Sequence, residues 1–137
     1  MPRVYGELCN ELLELEGIRS AFVISMKGSI LFSSYKDEIQ PLLSRQEYEA
    51  FLFKAAIRMG TRKEFLEKLG GINYAFAEYG KINQYTIPLD KEVKTLLLIS
   101  EDKLSQNSDD GRHHNNNNTS SSSIDRIMKI LRKYGMR

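Results

Sequence analysis

Apolar residues return every three or four positions between Val4 and Leu15, at Val4, Leu8, Leu12 and Leu15, with Glu7, Asn10, Glu11 and Glu14 in the gaps. This spacing predicts an amphipathic helix. Gly17 supplies its stop, and the next stretch, Ile18 to Ser25, is β-branched and aromatic enough to be a strand. Lys27-Gly28 marks a tight turn into Ile30-Leu31-Phe32-Ser33-Ser34, so the two runs form a hairpin.

After a loop containing Pro41, Ser44 stands three residues before Glu47, the spacing of a capping box, and a second helix is predicted to open there. Tyr48, Phe51, Leu52, Ala55 and Met59 form one stripe along it, while Phe53 and Ile57 point elsewhere. The helix therefore carries more apolar surface than one sheet contact uses. Gly60 is a candidate kink, but Phe65, Leu66 and Leu69 continue a helical spacing up to Gly70-Gly71.

Three strands follow at short intervals, Ile72 to Tyr79, Lys81 to Leu89 and Val93 to Ser100, separated by Gly80 and by Pro88-Leu89-Asp90. Leu96 to Ile99 and Ala21 to Ile24 are nearly continuous in apolar residues, the pattern of central strands covered on both faces. From Glu101 to Ser122 the chain turns to Ser, Asn, Asp, Gly and His with no apolar residue after Leu104, which predicts a flexible polar linker over 101–122. Ser123 then caps a last helix, 123–135, with Ile124, Ile127, Met128 and Leu131 inward and Lys129, Arg132, Lys133 and Arg137 suited to its C-terminal end. The element order αββαβββα predicts an α+β fold, an antiparallel sheet layered with helices.

Composition narrows the function classes. A chain of 137 residues, 41% hydrophobic and 28% charged, suits one domain with one core. Its 20 basic and 18 acidic residues are interspersed, so no basic stripe offers itself to nucleic acid. The longest apolar runs fall far short of the ~20 residues that span a bilayer. The N-terminus passes directly into charged helical sequence, so a cytoplasmic protein without membrane insertion is expected. The single Cys9 lies among Leu8, Leu12 and Leu13 and reads as a buried thiol.

Taken together, the opening helix ending Leu15-Glu16-Gly17-Ile18, the strand Ala21-Phe22-Val23-Ile24 into a Gly turn, the long second helix, and Pro88-Leu89-Asp90 ahead of Leu96-Leu97-Leu98-Ile99 resemble the roadblock/LC7 family. The resemblance covers the chain outside the polar linker. Two departures stand out. Lys27 replaces the acidic residue often found before the first hairpin's Gly, and the family usually joins its last strand to its last helix by a short turn. The resemblance implies a five-stranded sheet in the order 2-1-5-4-3, with the second helix on one face and the first and last on the other. It also implies a homodimer paired through the second helix and the third strand, with Tyr48, Phe51, Leu52, Ala55, Met59, Ile72, Tyr74 and Phe76 as interface residues. An unpaired strand reading Ile72-Asn73-Tyr74-Ala75-Phe76 would otherwise be an aggregation hazard at a sheet edge.

Other candidate chemistry is sparse. Gly60-Thr61-Arg62-Lys63 lacks the preceding Gly and the Gly-Lys-Ser/Thr ending of a phosphate-binding loop, so the chain is not itself a GTPase of that type. His113-His114, near Asp109-Asp110, read as solvated linker rather than a metal site. Glu7, Glu11 and Glu14 read as a solvated helix face before a basic-partner site. Arg58, Arg62 and Lys63 read as surface cations before an arginine finger, and Tyr74, Tyr79 and Tyr85 as packing. With both histidines in the linker, no Ser/His/Asp or Cys/His set assembles, so no enzyme, metal or cofactor is expected. The resemblance then implies a non-catalytic homodimeric scaffold that binds a small Ras-like GTPase, anchoring it or modulating its nucleotide cycle. The alternative is a small-molecule sensor of the profilin-like or PAS/GAF type, which needs an internal cavity with converging polar groups.

Overall fold

A computed structural model describes residues 2–103 and 122–136. The elements are α1 (Pro2–Leu13), β1 (Ile18–Ser25), β2 (Ile30–Tyr35), α2 (Arg45–Lys63), α3 (Leu66–Leu69), β3 (Ala75–Glu78), β4 (Ile82–Pro88), β5 (Thr95–Asp102) and α4 (Ser122–Lys133). The five strands form one sheet in the order β2-β1-β5-β4-β3 with antiparallel neighbours throughout. The α+β layering and the strand order are those expected from sequence.

Strands β1 and β5 lie at the centre, and their alternating side chains feed two cores. Ala21, Val23, Leu97 and Ile99 meet Leu8 and Leu12 of α1 and Ile127 and Leu131 of α4 on one face. On the other face, Phe22, Ile24, Leu96 and Leu98 meet Leu52, Ala55, Ala56 and Met59 of α2. The near-continuous apolar runs thus have the cause assigned to them, burial on both faces.

Local chemistry sets the element ends. Ser44 Oγ accepts from the Glu47 N–H at 3.1 Å and the Glu47 carboxylate accepts from the Ser44 N–H at 2.9 Å, a complete capping box. Gly28 has φ +88°, and a Cβ there would lie 3.1 Å from the Cα of Phe53, so the β1–β2 turn seats on α2 only because this residue is glycine. At the end of α4, Gly135 has φ +75° and the Met136 N–H donates to the Leu131 carbonyl at 2.9 Å, the Schellman pattern.

Several boundaries differ from expectation. β3 begins at Ala75 rather than Ile72: continuing its register with β4 would bring Tyr74 opposite Ile87 and then Asn73 opposite Pro88, which has no N–H to donate. Gly60 does not end α2. The helix stops at Lys63, and Phe65 (φ −108°, ψ 3°) separates it from α3. Glu101 and Asp102 belong to β5, and Ser122 opens α4, so both ends of the expected linker are structured. Residues 104–121 of that linker, with His113 and His114, lie outside the described residues.

Candidate interaction surface

Among the described residues, no group of three or more His, Cys, Asp or Glu side chains could hold a metal, and no helix is long and apolar enough to cross a membrane. Cys9 is fully buried, and burial pushes its thiol up to about 12, away from thiolate chemistry. The polar groups inside the fold hold elements together. Glu101, at the end of β5, accepts from the Asn83 amide (3.2 Å), the Tyr85 hydroxyl (3.1 Å) and the Ser123 hydroxyl at the start of α4. Burial raises the Tyr85 phenol, and the Glu101 carboxylate raises it further. Arg19 and Asp102 pair at 2.9 Å across the β1–β5 end.

The opposite end of α4 is tied to α1. Lys133 Nζ donates to both Glu11 oxygens, at 2.8 and 3.1 Å, and the Tyr134 hydroxyl donates at 2.9 Å. Glu11 is therefore an internal clasp and not a member of a free acidic face. These hydrogen bonds, that from Lys133 first, hold Glu11 below the usual carboxylate range. A depressed folded-state pKa contributes stability above the unfolded value and loses it as the pH falls. The stability difference between wild type and Glu11→Gln, measured by urea titration, is expected to stay constant from about pH 6 to 9 and to shrink below about pH 4.

The eight interface candidates divide among three environments. Leu52, Ala55 and Met59 are buried in the protomer's own core, against Phe22, Ile24, Leu96 and Leu98. The most apolar stripe of α2 covers the apolar face of its own sheet, which would otherwise stay wet. Tyr48 and Phe51 are half-buried. Tyr48 stacks on Phe22 at 5.0 Å, and Phe51 lies 6.2 Å from Tyr48 and 6.4 Å from Tyr79. Ile72 packs on the rim of the α2 core. Tyr74 and Phe76 are exposed at 39% and 48%, with their rings against Tyr85 on the opposite face of the sheet.

The surface these residues border was only partly legible beforehand. A narrow crevice runs between α2 and β3, lined by Ala55, Arg58 and Arg62 on the helix and Ala75, Ala77 and Tyr79 beside it. Phe53 and Ile57, each about half exposed, occupy the flank of α2 toward the β1–β2 turn, where Gly28 meets Phe53. The surplus apolar surface on α2 sits on Phe53 and Ile57, the residues that the helical spacing set apart from the Leu52–Met59 stripe.

The two sheet edges are unlike. On β2 the register slips between Val23–Phe32 and Ile24–Ile30, leaving Leu31 as a bulge, a device that twists an edge away from further pairing. β3 runs against β4 without a slip, from Ala75–Thr86 through Phe76–Tyr85 and Ala77–Gln84 to Glu78–Asn83. From Phe76 to Glu78 the strand is exposed and, apart from Glu78, uncharged.

No protein-family model and no curated protein matches the chain. Among solved structures, it is similar to the gliding protein MglB of Thermus thermophilus, with TM-score 0.66 and 14% identity over 96% of this chain and 88% of that one. It is also similar to an MglB with a tetrameric arrangement, with TM-score 0.65 and 16% identity over 96% and 87%. A roadblock/LC7 domain from Streptomyces avermitilis gives TM-score 0.59 and 12% identity over 96% and 97%. At such identities the likeness is one of architecture, and the chain has the roadblock/LC7 fold.

Proposed function

We propose that the chain is a non-catalytic homodimeric scaffold, paired through α2 and β3, that binds a small Ras-like GTPase and anchors it or modulates its nucleotide cycle. One observation supports the pairing: of the two sheet edges, β3 alone runs against its neighbour without a register slip. Antiparallel pairing of β3 with its mate satisfies the free backbone groups and continues the sheet across a two-fold axis. The small side chains of Ala75 and Ala77 on the α2 side support the reading, because they leave room for two α2 helices to approach over the joined strands. Similarity to an MglB with a tetrameric arrangement is in keeping with self-association.

The partner class follows from the roadblock/LC7 fold and from the lack of a phosphate-binding loop in the chain itself. Such a protein regulates or places a nucleotide hydrolase instead of being one. Light scattering is expected to give twice the 15.8 kDa chain mass, and Ala77→Lys, a charge on the exposed edge, is expected to halve it with the circular dichroism spectrum unchanged. Titration of the dimer with a Ras-like GTPase encoded beside it, loaded with GDP or a non-hydrolysable GTP analogue, tests the partner. Saturable binding in one nucleotide state is the expected result; no binding in either state would overturn the GTPase reading.

A further inference from the structure

β3 carries different side chains on its two faces. Toward α2 stand Ala75 and Ala77. Toward the α1–α4 layer stands Phe76, its ring 5.0 Å from that of Tyr85, with Tyr74 6.3 Å from the same ring. Tyr85 is 6% exposed and belongs to the core beneath α1 and α4, yet the two rings resting on it face outward. α4 stands beside them as a wall. Between it and Tyr74 lies a cleft of about 380 Å³ lined by Ile124, Asp125, Met128 and Arg132. Arg132 makes no ion pair among the described residues.

In one protomer this is a short ledge. If β3 joins its mate, as the pairing above requires, a second Tyr74 and Phe76 arrive beside the first on the same face of the sheet. The floor becomes a row of four aromatic rings between two α4 walls. An aromatic floor of that length gains by being covered, and the exposed guanidinium on each wall is free to take an anion from what covers it.

We propose that this trough, on the face opposite α2, binds a partner polypeptide segment that lays large apolar side chains on Tyr74 and Phe76 and sets a carboxylate against Arg132. The proposal rests on the β3 pairing. A second dimer laid face to face is the poorer occupant, because α4 exposes Arg126, Lys129 and Arg132 besides the Lys133–Glu11 pair, against one acid, Asp125, and like walls repel.

The test is selection of a random peptide display library on the immobilised protein. An enriched peptide is then synthesised and its binding measured by fluorescence anisotropy against wild type, Arg132→Glu and Tyr74→Ala, with light scattering on each sample. Expected are peptides combining large apolar residues with Asp or Glu, binding at least tenfold weaker to both variants, whose mass stays that of the dimer. A dimeric wild type that enriches no peptide, or peptides indifferent to both substitutions, would overturn the trough and leave the pairing intact. A wild-type mass of four chains falling to two in Arg132→Glu would assign the face to another dimer and overturn the proposal. A monomeric wild type would overturn the pairing and the trough together.

Discussion

Replacing Ala55 and Met59 together by glutamate is expected to unfold the protomer and not merely to separate two copies. Both side chains are buried between α2 and the sheet in a core of Phe22, Ile24, Leu52, Ala56, Leu96 and Leu98 with Val93 at its end, and only Ala55 borders the crevice that Arg58 and Arg62 also line. Each unpaired buried carboxylate costs several kcal/mol even after relaxation. Two of them exceed much of the roughly 5–15 kcal/mol by which a domain is stable. The double variant should lose its cooperative thermal transition and its near-ultraviolet dichroism. A folded monomer instead would mean that α2 offers these residues to a second copy, contrary to their burial. Ala77→Lys is the complementary variant, since it acts on an exposed edge position and should leave the fold intact.

The second large effect lies in the other core. Leu97 is fully buried in β5, opposite Val23 of β1 and Ile87 of β4, and packs in the layer closed by α1 and α4. Leu97→Ala removes transfer free energy and leaves a cavity that a central strand cannot collapse, so a loss of about 3–5 kcal/mol is expected. With a denaturant slope near 2 kcal/mol/M, the urea midpoint should fall by roughly 2 M. Phe53→Ala, at a half-exposed position, should lower it by much less. Both are to be measured at one protein concentration, because self-association adds to apparent stability.

Legibility from the sequence followed the range of the forces involved. Leu96 to Ile99 and Ala21 to Ile24 announced central strands because burial on both faces suppresses alternation, and Ser44 with Glu47 announced the start of α2 because a cap is a local event. The stripe Leu52, Ala55, Met59 was legible as an apolar face, but a helical spacing does not tell a core from an interface. That distinction needs the sheet's own apolar face to be in view. Glu11 read as solvated because its partners, Lys133 and Tyr134, lie more than 120 residues away. Glu101 and Asp102 read as the opening of a polar linker, yet they close β5, because Tyr85, Asn83 and Arg19 supply the donors that make charge tolerable there. The edge β3 became meaningful only once strand order placed it outermost.

The two cores also differ in when a growing chain is able to finish them. Every residue of the α2 layer has left the ribosome once Leu98 has emerged. The other layer joins Leu8 and Leu12 to Ile127 and Leu131, more than 100 residues later in the chain. Contacts of such long sequence separation form late. During synthesis, one face of the sheet is therefore covered while the other stays open, and a nascent chain halted after Ile99 but before Ile127 has emerged from the ribosome would display Leu97 and Ile99 to whatever chaperone is at hand.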